Sequence, residues 1–451
     1  MTKYGEIRSS VTDSSEHVQI NAQGTGAKRV LLSGYDGTNF NDANVNKSGS
    51  ILVNINDSAQ IDAFSRLRVS NPTTLFDSKF RYDTLPIRFN SITANNGSIT
   101  HLPNECSVSL ATAAVASSSA IIQSKQYHKY IPGKSQLIFM TGVIKTGVSG
   151  ITKRVGYFDA DDGIFFEQNG TTDIAVVRRT STSGSPVDNR VAQSSWNIDK
   201  LDGTGVSGKT LDVSKCYILV IDLQWLGMGR VRIGFDIDGT ICYVHQFLNA
   251  NSLTTVYMKK SDLPVRWEIA GNGVATMQAT CSSVISEGGS EDDEGFLFSA
   301  DNGTTVRTVT AGTPLPVIAI RPATTFNSIT NRLNFRLEGF NWIPSSGTGV
   351  YKWELIYNPT VTGGSWSSVG ASTAMERNVT GTSVNGGIVI ASGYDNASSG
   401  VRQSHELRLG IASRFPFCYD GANNQIVYAL VFTDLAATTD ISASITWREL
   451  R

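Results

Sequence analysis

Charge is scarce in this chain. Of its 451 residues, 17% are Asp, Glu, Lys or Arg, and 39 acids against 38 bases leave a formal net charge of -1. Globular chains usually carry about 25%. Without a basic excess there is no general argument for binding nucleic acid, which needs a basic face to release counterions. Paired cysteines are also missing. Cys106, Cys216, Cys242, Cys281 and Cys418 are odd in number and scattered, with no Cys-x-x-Cys. That argues against a disulfide framework and against a zinc site; Cys216 and Cys242 lie in apolar runs and read as small core residues. No apolar run approaches the roughly 20 residues of a membrane span. The N-terminus, Met-Thr-Lys-Tyr-Gly-Glu, lacks the apolar core of a signal peptide, so cytoplasmic synthesis and assembly without membrane insertion are expected. Helical periodicity is nearly absent.

What the sequence does have is alternation. Leu333, Phe335 and Leu337 alternate with polar residues, as do Tyr351, Trp353, Leu355 and Tyr357, then Leu407, Leu409 and Ile411, then Ile441, Ala443, Ile445 and Trp447. Each set describes a half-buried strand. Residues 137–140, 216–221 and 427–432 are apolar on both faces. With 42 glycines and 40% hydrophobic residues, the pattern predicts an all-β protein of antiparallel β-sandwich domains. The sharpest local signal is a hairpin over 230–247. Val231, Ile233, Phe235 and Ile237 form one face, and Asp238-Gly239 supplies a two-residue type I′ turn. That turn sets Ile237 opposite Thr240, Phe235 opposite Cys242, Ile233 opposite Val244, Gly234 opposite Tyr243 and Arg232 opposite His245. Arg232 and His245 are then expected as neighbours on the surface side. The run of strands around this hairpin is similar to concanavalin-like jelly rolls, an architectural likeness that does not carry function.

Residues 62–77 (Asp-Ala-Phe-Ser-Arg-Leu-Arg-Val-Ser-Asn-Pro-Thr-Thr-Leu-Phe-Asp) are followed by Lys134-Ser-Gln-Leu-Ile-Phe-Met-Thr-Gly and Ile151-Thr-Lys-Arg-Val-Gly-Tyr-Phe-Asp. Together they resemble uncharacterised virion structural proteins of tailed bacteriophages, of tail, fibre or capsid-decoration type, over roughly residues 60–290. The resemblance implies a virion component with other virion proteins as partners. Composition suggests three parts. Residues 1–76, polar and rich in Gly and Asn, read as an extended arm for assembly or attachment, since the apolar runs 30–32 and 51–55 are too short to make a core. Residues 77–287 read as the jelly-roll-like sandwich and 288–451 as a second β-sandwich. The acidic stretch Glu287-Gly-Gly-Ser-Glu-Asp-Asp-Glu-Gly295 reads as a linker or exposed loop between them.

Candidates for chemistry each meet a simpler reading. Gly203-Thr-Gly-Val-Ser-Gly-Lys-Thr210 matches the phosphate-loop pattern letter for letter. A polar lead-in and too few residues for a following helix favour a loop between strands. Asp159-Ala-Asp-Asp-Gly163 is acidic enough to suggest calcium but misses EF-hand spacing, so it reads as a hairpin turn. The histidines (His17, His101, His128, His245 and His405) are far apart, and His405-Glu406 is not followed by the second histidine of a metalloprotease. Asp222 and Glu268 are the acids expected within the first sandwich, and paired carboxylates of a glycosidase remain open. Among the tryptophans, Trp225, Trp353 and Trp447 fit core positions, while Trp366, in Gly363-Gly-Ser-Trp-Ser-Ser, is the exposed candidate for stacking on a glycan.

These readings converge on a non-enzymatic structural component of a phage particle, tail- or baseplate-associated, working as a homotrimer. No catalytic, cofactor or metal residues are expected. The alternatives are a capsid decoration or head-fibre protein, a glycan-binding adhesin contacting the host surface, and a depolymerase.

Overall fold

Strands occupy most of the chain, and no α-helix occurs among the described residues. The computed structural model describes residues 61–450 except 65, 69–70, 290–294, 347–348, 398–402 and 407–423, together with two short strands upstream. Two units emerge, Met1–Ser58 and Ala59–Arg451. In the first, Ser33–Tyr35 pairs antiparallel with Phe40–Asp42; the remainder of the expected arm in that unit lies outside the described residues.

The second unit opens with a jelly-roll-like, antiparallel sandwich. One sheet has seven strands in the order Val187–Ala192, Asp173–Thr180, Gly163–Asn169, Ile151–Phe158, Val265–Gly271, Ser118–Ser124, Phe89–Ala94. Facing it is an eight-stranded sheet that runs from Thr240–Phe247 through Val231–Ile237, Cys216–Leu223, Gln136–Val143 and Ala275–Ser286 to Ser107–Thr112 and Ser98–Leu102, with Thr73–Lys79 also on Ala275–Ser286. Alternate residues of both sheets meet in one core, with Trp267, Ile269, Val155, Phe166, Leu219, Ile221 and Phe235 among its members. The second sandwich, from Phe296 onward, packs a five-stranded sheet on a six-stranded one. Trp342, Trp353, Tyr351, Phe432 and Trp447 fill its centre. Trp353 and Trp447 are thus core residues, and Trp225 is part-buried with its Nε1 donating to the Met258 carbonyl at 3.1 Å.

The hairpin forms with its expected turn: Asp238 and Gly239 have φ of 56° and 75°, as a type I′ turn requires. Ile237 faces Thr240, Phe235 faces Cys242 and Gly234 faces Tyr243. Beyond that point the register differs. Ile233 pairs with His245 and Arg232 with Gln246, so Val244 is an extra residue in a bulge. The edge explains it. The bulged Val244 carbonyl accepts from the N–H groups of Ile198 and Asp199, and the Asn197 amide bonds both the Gln246 N–H and carbonyl. A loop therefore covers this edge, as β-edges commonly require. His245, expected at the surface beside Arg232, is instead buried, and its Nδ1 accepts from the Asn197 N–H at 3.3 Å.

Within the stretch expected as an arm, residues 61–64 and 66–68 lie against the outer face of the eight-stranded sheet. Asp222 and Arg232, one residue out of phase with core-facing Ile221 and Ile233, point to this face and are fully buried. Arg232 Nη2 donates to Asp222 Oδ2 at 2.5 Å and to the Ile61 carbonyl at 2.6 Å. Arg68 bridges Asp222 and Glu287, and Tyr243 donates to Asp222 at 3.0 Å. Arg230 reaches the Asp62 and Ala63 carbonyls, both at 3.1 Å.

The core also holds His128, with its ring 4.5 Å from that of Phe76. Burial, with Arg88 adding to it, pulls its pKa down to about 3. A folded pKa below the unfolded one means that stability is full above the unfolded value, about 6.5, and is lost as pH falls toward the folded value. The slope reaches about 1.4 kcal/mol per pH unit. His245, lowered to about 4 by burial, adds to the same window. Denaturant midpoints measured from about pH 7 down to 4 should fall more steeply for the wild type than for His128→Leu; parallel curves would remove His128 as a cause.

Candidate functional site

The outer face of the seven-stranded sheet is charged rather than apolar. On strands whose other face is core, Glu268, Arg154 and Glu167 sit side by side across three neighbouring strands. Arg154 donates to Glu167 at 2.8 Å and to Glu268 at 2.9 Å. Arg190 adds a bond to Glu167 at 2.7 Å, and Arg266 Nε one to Glu268 at 2.8 Å. Beneath them lie Phe158 and Phe165, ring centroids 4.4 Å apart and fully buried. The Arg154, Arg179 and Arg266 guanidinium groups stand 5.1–5.6 Å from those rings. Gly156 makes this possible: a Cβ there would come within 2.6 Å of Phe165. Burial alone would raise the Glu268 carboxyl, but Arg266 and Arg154 outweigh it and hold the pKa below the ordinary range. At neutral pH Glu268 is a carboxylate with no proton to donate.

Asp222 and Glu268 do not form a pair. Asp222 lies on the outer face of the eight-stranded sheet and Glu268 on the outer face of the seven-stranded sheet, with the whole core between them. The carboxylate that does neighbour Glu268 is Glu167. The sequence reading did not single it out, because it is read only from cross-strand register. Its signal is an acid directly after the apolar run Ile164-Phe-Phe, still inside the strand Gly163–Asn169.

At one end of this charged face a cleft of ≈ 520 Å³ opens toward the second sandwich. Tyr127, Asp159, Asp161, Lys260 and Arg266 wall one side, and Thr324, Thr330 and Arg332 the other. Asn334 donates to the Tyr127 carbonyl, which ties the two sandwiches together beside it. The acidic turn does form, linking Ile151–Phe158 to Gly163–Asn169. Asp159 Oδ1 accepts from the N–H groups of Asp161 and Asp162. Its other oxygen accepts from Tyr127 at 3.1 Å and from Lys260 at 2.5 Å, and Lys260 also reaches Asp161 at 2.8 Å. The ammonium thus occupies the position between the carboxylates that a cation would take. Burial would raise the Asp159 carboxyl, yet Lys260 and the backbone donors lower it below its ordinary value. Asp162 turns inward to Ser181 and the Lys259 N–H.

The remaining sequence candidates lie apart from the cleft. Trp366 is half-buried on the outer face of the six-stranded sheet, packed with Val361 and Val384, with the Arg321 guanidinium 4.1 Å above its ring. The phosphate-loop string is a turn in which Lys209 donates to the Ile237 carbonyl at 3.0 Å and to Asp238 at 2.8 Å, pinning the hairpin tip. Cys106, Cys216, Cys242 and Cys281 are free thiols, and Cys418 lies outside the described residues. His405 pairs with Phe340 on an edge strand.

No protein-family model matches the chain, and no curated protein does. Solved structures match about half of it. A family 16 glycoside hydrolase from Bacteroides ovatus, associated with mixed linkage glucan and in complex with a product, is 11% identical, covering 47% of this chain and 99% of its own, with a TM-score of 0.33. A legume lectin-like domain from Entamoeba histolytica is 10% identical over 47% of this chain and 97% of its own, at 0.29. A protein of unknown function from Shewanella oneidensis MR-1 is 7% identical over 52% and 94%, at 0.32. Likeness at this level assigns no activity to this chain. It does correct one expectation: hydrolases and a transglycosylase are among the matches, so dispersed histidines and an all-β build are no ground for excluding an enzyme, and that reading is withdrawn.

Proposed function

We propose that this chain is a glycan-binding protein of the adhesin type, and that the cleft between its two sandwiches holds the sugar. The observation that carries the reading is the composition of the cleft walls. Carboxylates, guanidinium groups, a carboxamide and two threonine hydroxyls converge on ≈ 520 Å³ beside an aromatic ring. Sugars present donors and acceptors together on a compact body, so they need this mixture of fixed polar groups. The ion pairs that hold Asp159, Asp161 and Arg266 in place pre-organise the walls, which reduces the ordering cost of binding. The particle carrying such an adhesin would be a tailed-phage virion, a proposal that rests on the sequence resemblance alone.

Thr330 is exposed on the lip of the cleft, so Thr330→Trp should fill the space without touching either core. On a glycan array, the wild type should retain a defined set of glycans, and Thr330→Trp should bind them roughly tenfold more weakly or worse, a loss of about 1.4 kcal/mol. Trp366→Ala should bind as the wild type does. Loss in Trp366→Ala with retention in Thr330→Trp would move the site to the second sandwich. A wild type that binds no glycan would end the reading. Release of reducing ends from a bound polysaccharide would add catalysis to binding.

A further inference from the structure

The second sandwich contains a cation that the glycan reading does not use. Arg307 lies on the short strand Arg307–Thr310, which pairs with Thr438–Leu450 so that Arg307 stands opposite Ile441. Val309, two residues on, is fully buried, so alternation points the Arg307 side chain inward between the two sheets. There it donates one hydrogen bond, from Nη2 to the Gly381 carbonyl on a loop of the opposite sheet. Its Nε is buried and has no partner, and Arg307 has no acidic partner among the described residues. The nearby acid, Asp440, lies one residue out of phase with Ile441 and is occupied elsewhere, accepting from Thr308 at 2.6 Å and Ser346 at 2.8 Å. Arg307 is part-buried, and a cation drawn partly out of water gains from an opposite charge beside it. Burial with nothing to offset it lowers the pKa of Arg307.

Arg307 is also not packed into solid protein. It lines a second cleft, of ≈ 400 Å³, with Asn302, Thr305 and Thr380 as polar neighbours and Val306, Leu315 and Val379 as apolar ones. The geometry points to this cleft as a binding site for a carboxylate-bearing ligand, with the oxyanion against the Arg307 guanidinium and a small hydrocarbon or sugar body against the apolar wall. A guanidinium edge offers parallel N–H groups that match a carboxylate in two-point fashion. The ligand would supply the missing counter-charge. This site is separate from the cleft between the sandwiches and does not depend on it.

Calorimetric titration of the full chain with sodium acetate, sodium glucuronate and neutral methyl glucoside tests the assignment. The two carboxylates should bind and the neutral sugar should not. Tighter binding of glucuronate than of acetate identifies an acidic sugar as the natural class, and equal binding identifies a free carboxylate. Arg307→Gln should weaken carboxylate binding roughly tenfold or more, the loss expected for a hydrogen bond to a charged group. If Arg307→Gln fails to fold, Val306→Glu carries the test: Val306 is 38% exposed at the lip, and a carboxylate there should repel the ligand to a similar degree. Absence of carboxylate binding by the wild type, or unchanged binding in a folded variant, would overturn the assignment. Thr330→Trp should bind acetate as the wild type does, which separates failure here from failure of the glycan reading.

Discussion

Asp222→Ala should destabilise the first sandwich by about 3–5 kcal/mol, the cost of leaving a buried charge without its partner. Asp222 and Arg232 are both fully buried, and Arg232, Arg68 and Tyr243 all converge on a single oxygen of Asp222. Removing that carboxylate takes from Arg232 its buried counter-charge, while the Ile61 carbonyl and the face of the Tyr243 ring, 4.2 Å away, stay in place but carry no negative charge. Arg68 is affected less, because it keeps Glu287. The double variant Asp222→Leu with Arg232→Met should recover much of the loss, since apolar replacement of a whole buried pair is often neutral or better. Urea midpoints for the wild type, the single variant and the double variant give the answer. A single variant within about 1 kcal/mol of wild type would show that water reaches Arg232 and that the cluster is not the seal it looks like.

The second large effect is expected at Phe235. Its ring is 1% exposed and meets Phe166 of the facing sheet edge to face, with centroids 5.2 Å apart. Phe235→Ala removes that contact and opens a cavity between two sheets that are each held by their own ladders, so the walls cannot collapse fully. About 3–5 kcal/mol should be lost. Ile237→Ala, at the part-buried end of the same strand, should cost far less. If both cost the same, the hairpin is packed from its tip rather than from its centre.

The hairpin also marks how far the sequence could be read. Alternation and the Asp-Gly turn fixed three cross-strand pairs, because those depend on residues within a few positions of one another. The bulge at Val244 depends on Asn197, some fifty positions upstream, and nothing inside the hairpin announces it. The same distinction runs through the site. The all-β class, the sandwich core and the turn at Asp159 follow from local periodicity and turn chemistry. The Glu268–Arg154–Glu167 row does not, because its members come together only when three strands from distant parts of the chain take their register. Asp222 and Glu268 were recognisable as acids on otherwise apolar strands, but which face each one took was decided by one-residue parity, and parity put them on opposite sides of the sandwich. Trp366 looked exposed because glycine and serine surround it; Arg321, forty-five positions earlier, is what covers its ring.

The packing of residues 61–64 and 66–68 on the eight-stranded sheet sets the order in which contacts would meet a pull on the chain. Tension applied upstream of Ile61 reaches the sandwich first through the bonds of Arg230 and Arg232 to the Ile61, Asp62 and Ala63 carbonyls, and through Arg68 to Asp222 and Glu287. These contacts act over short distances, and once the segment peels away water replaces them. The next element in line, Thr73–Lys79, is held by a ladder along Ala275–Ser286, where several bonds share the force. Under such a pull the contacts before Arg68 come first in line and the ladder of Thr73–Lys79 second.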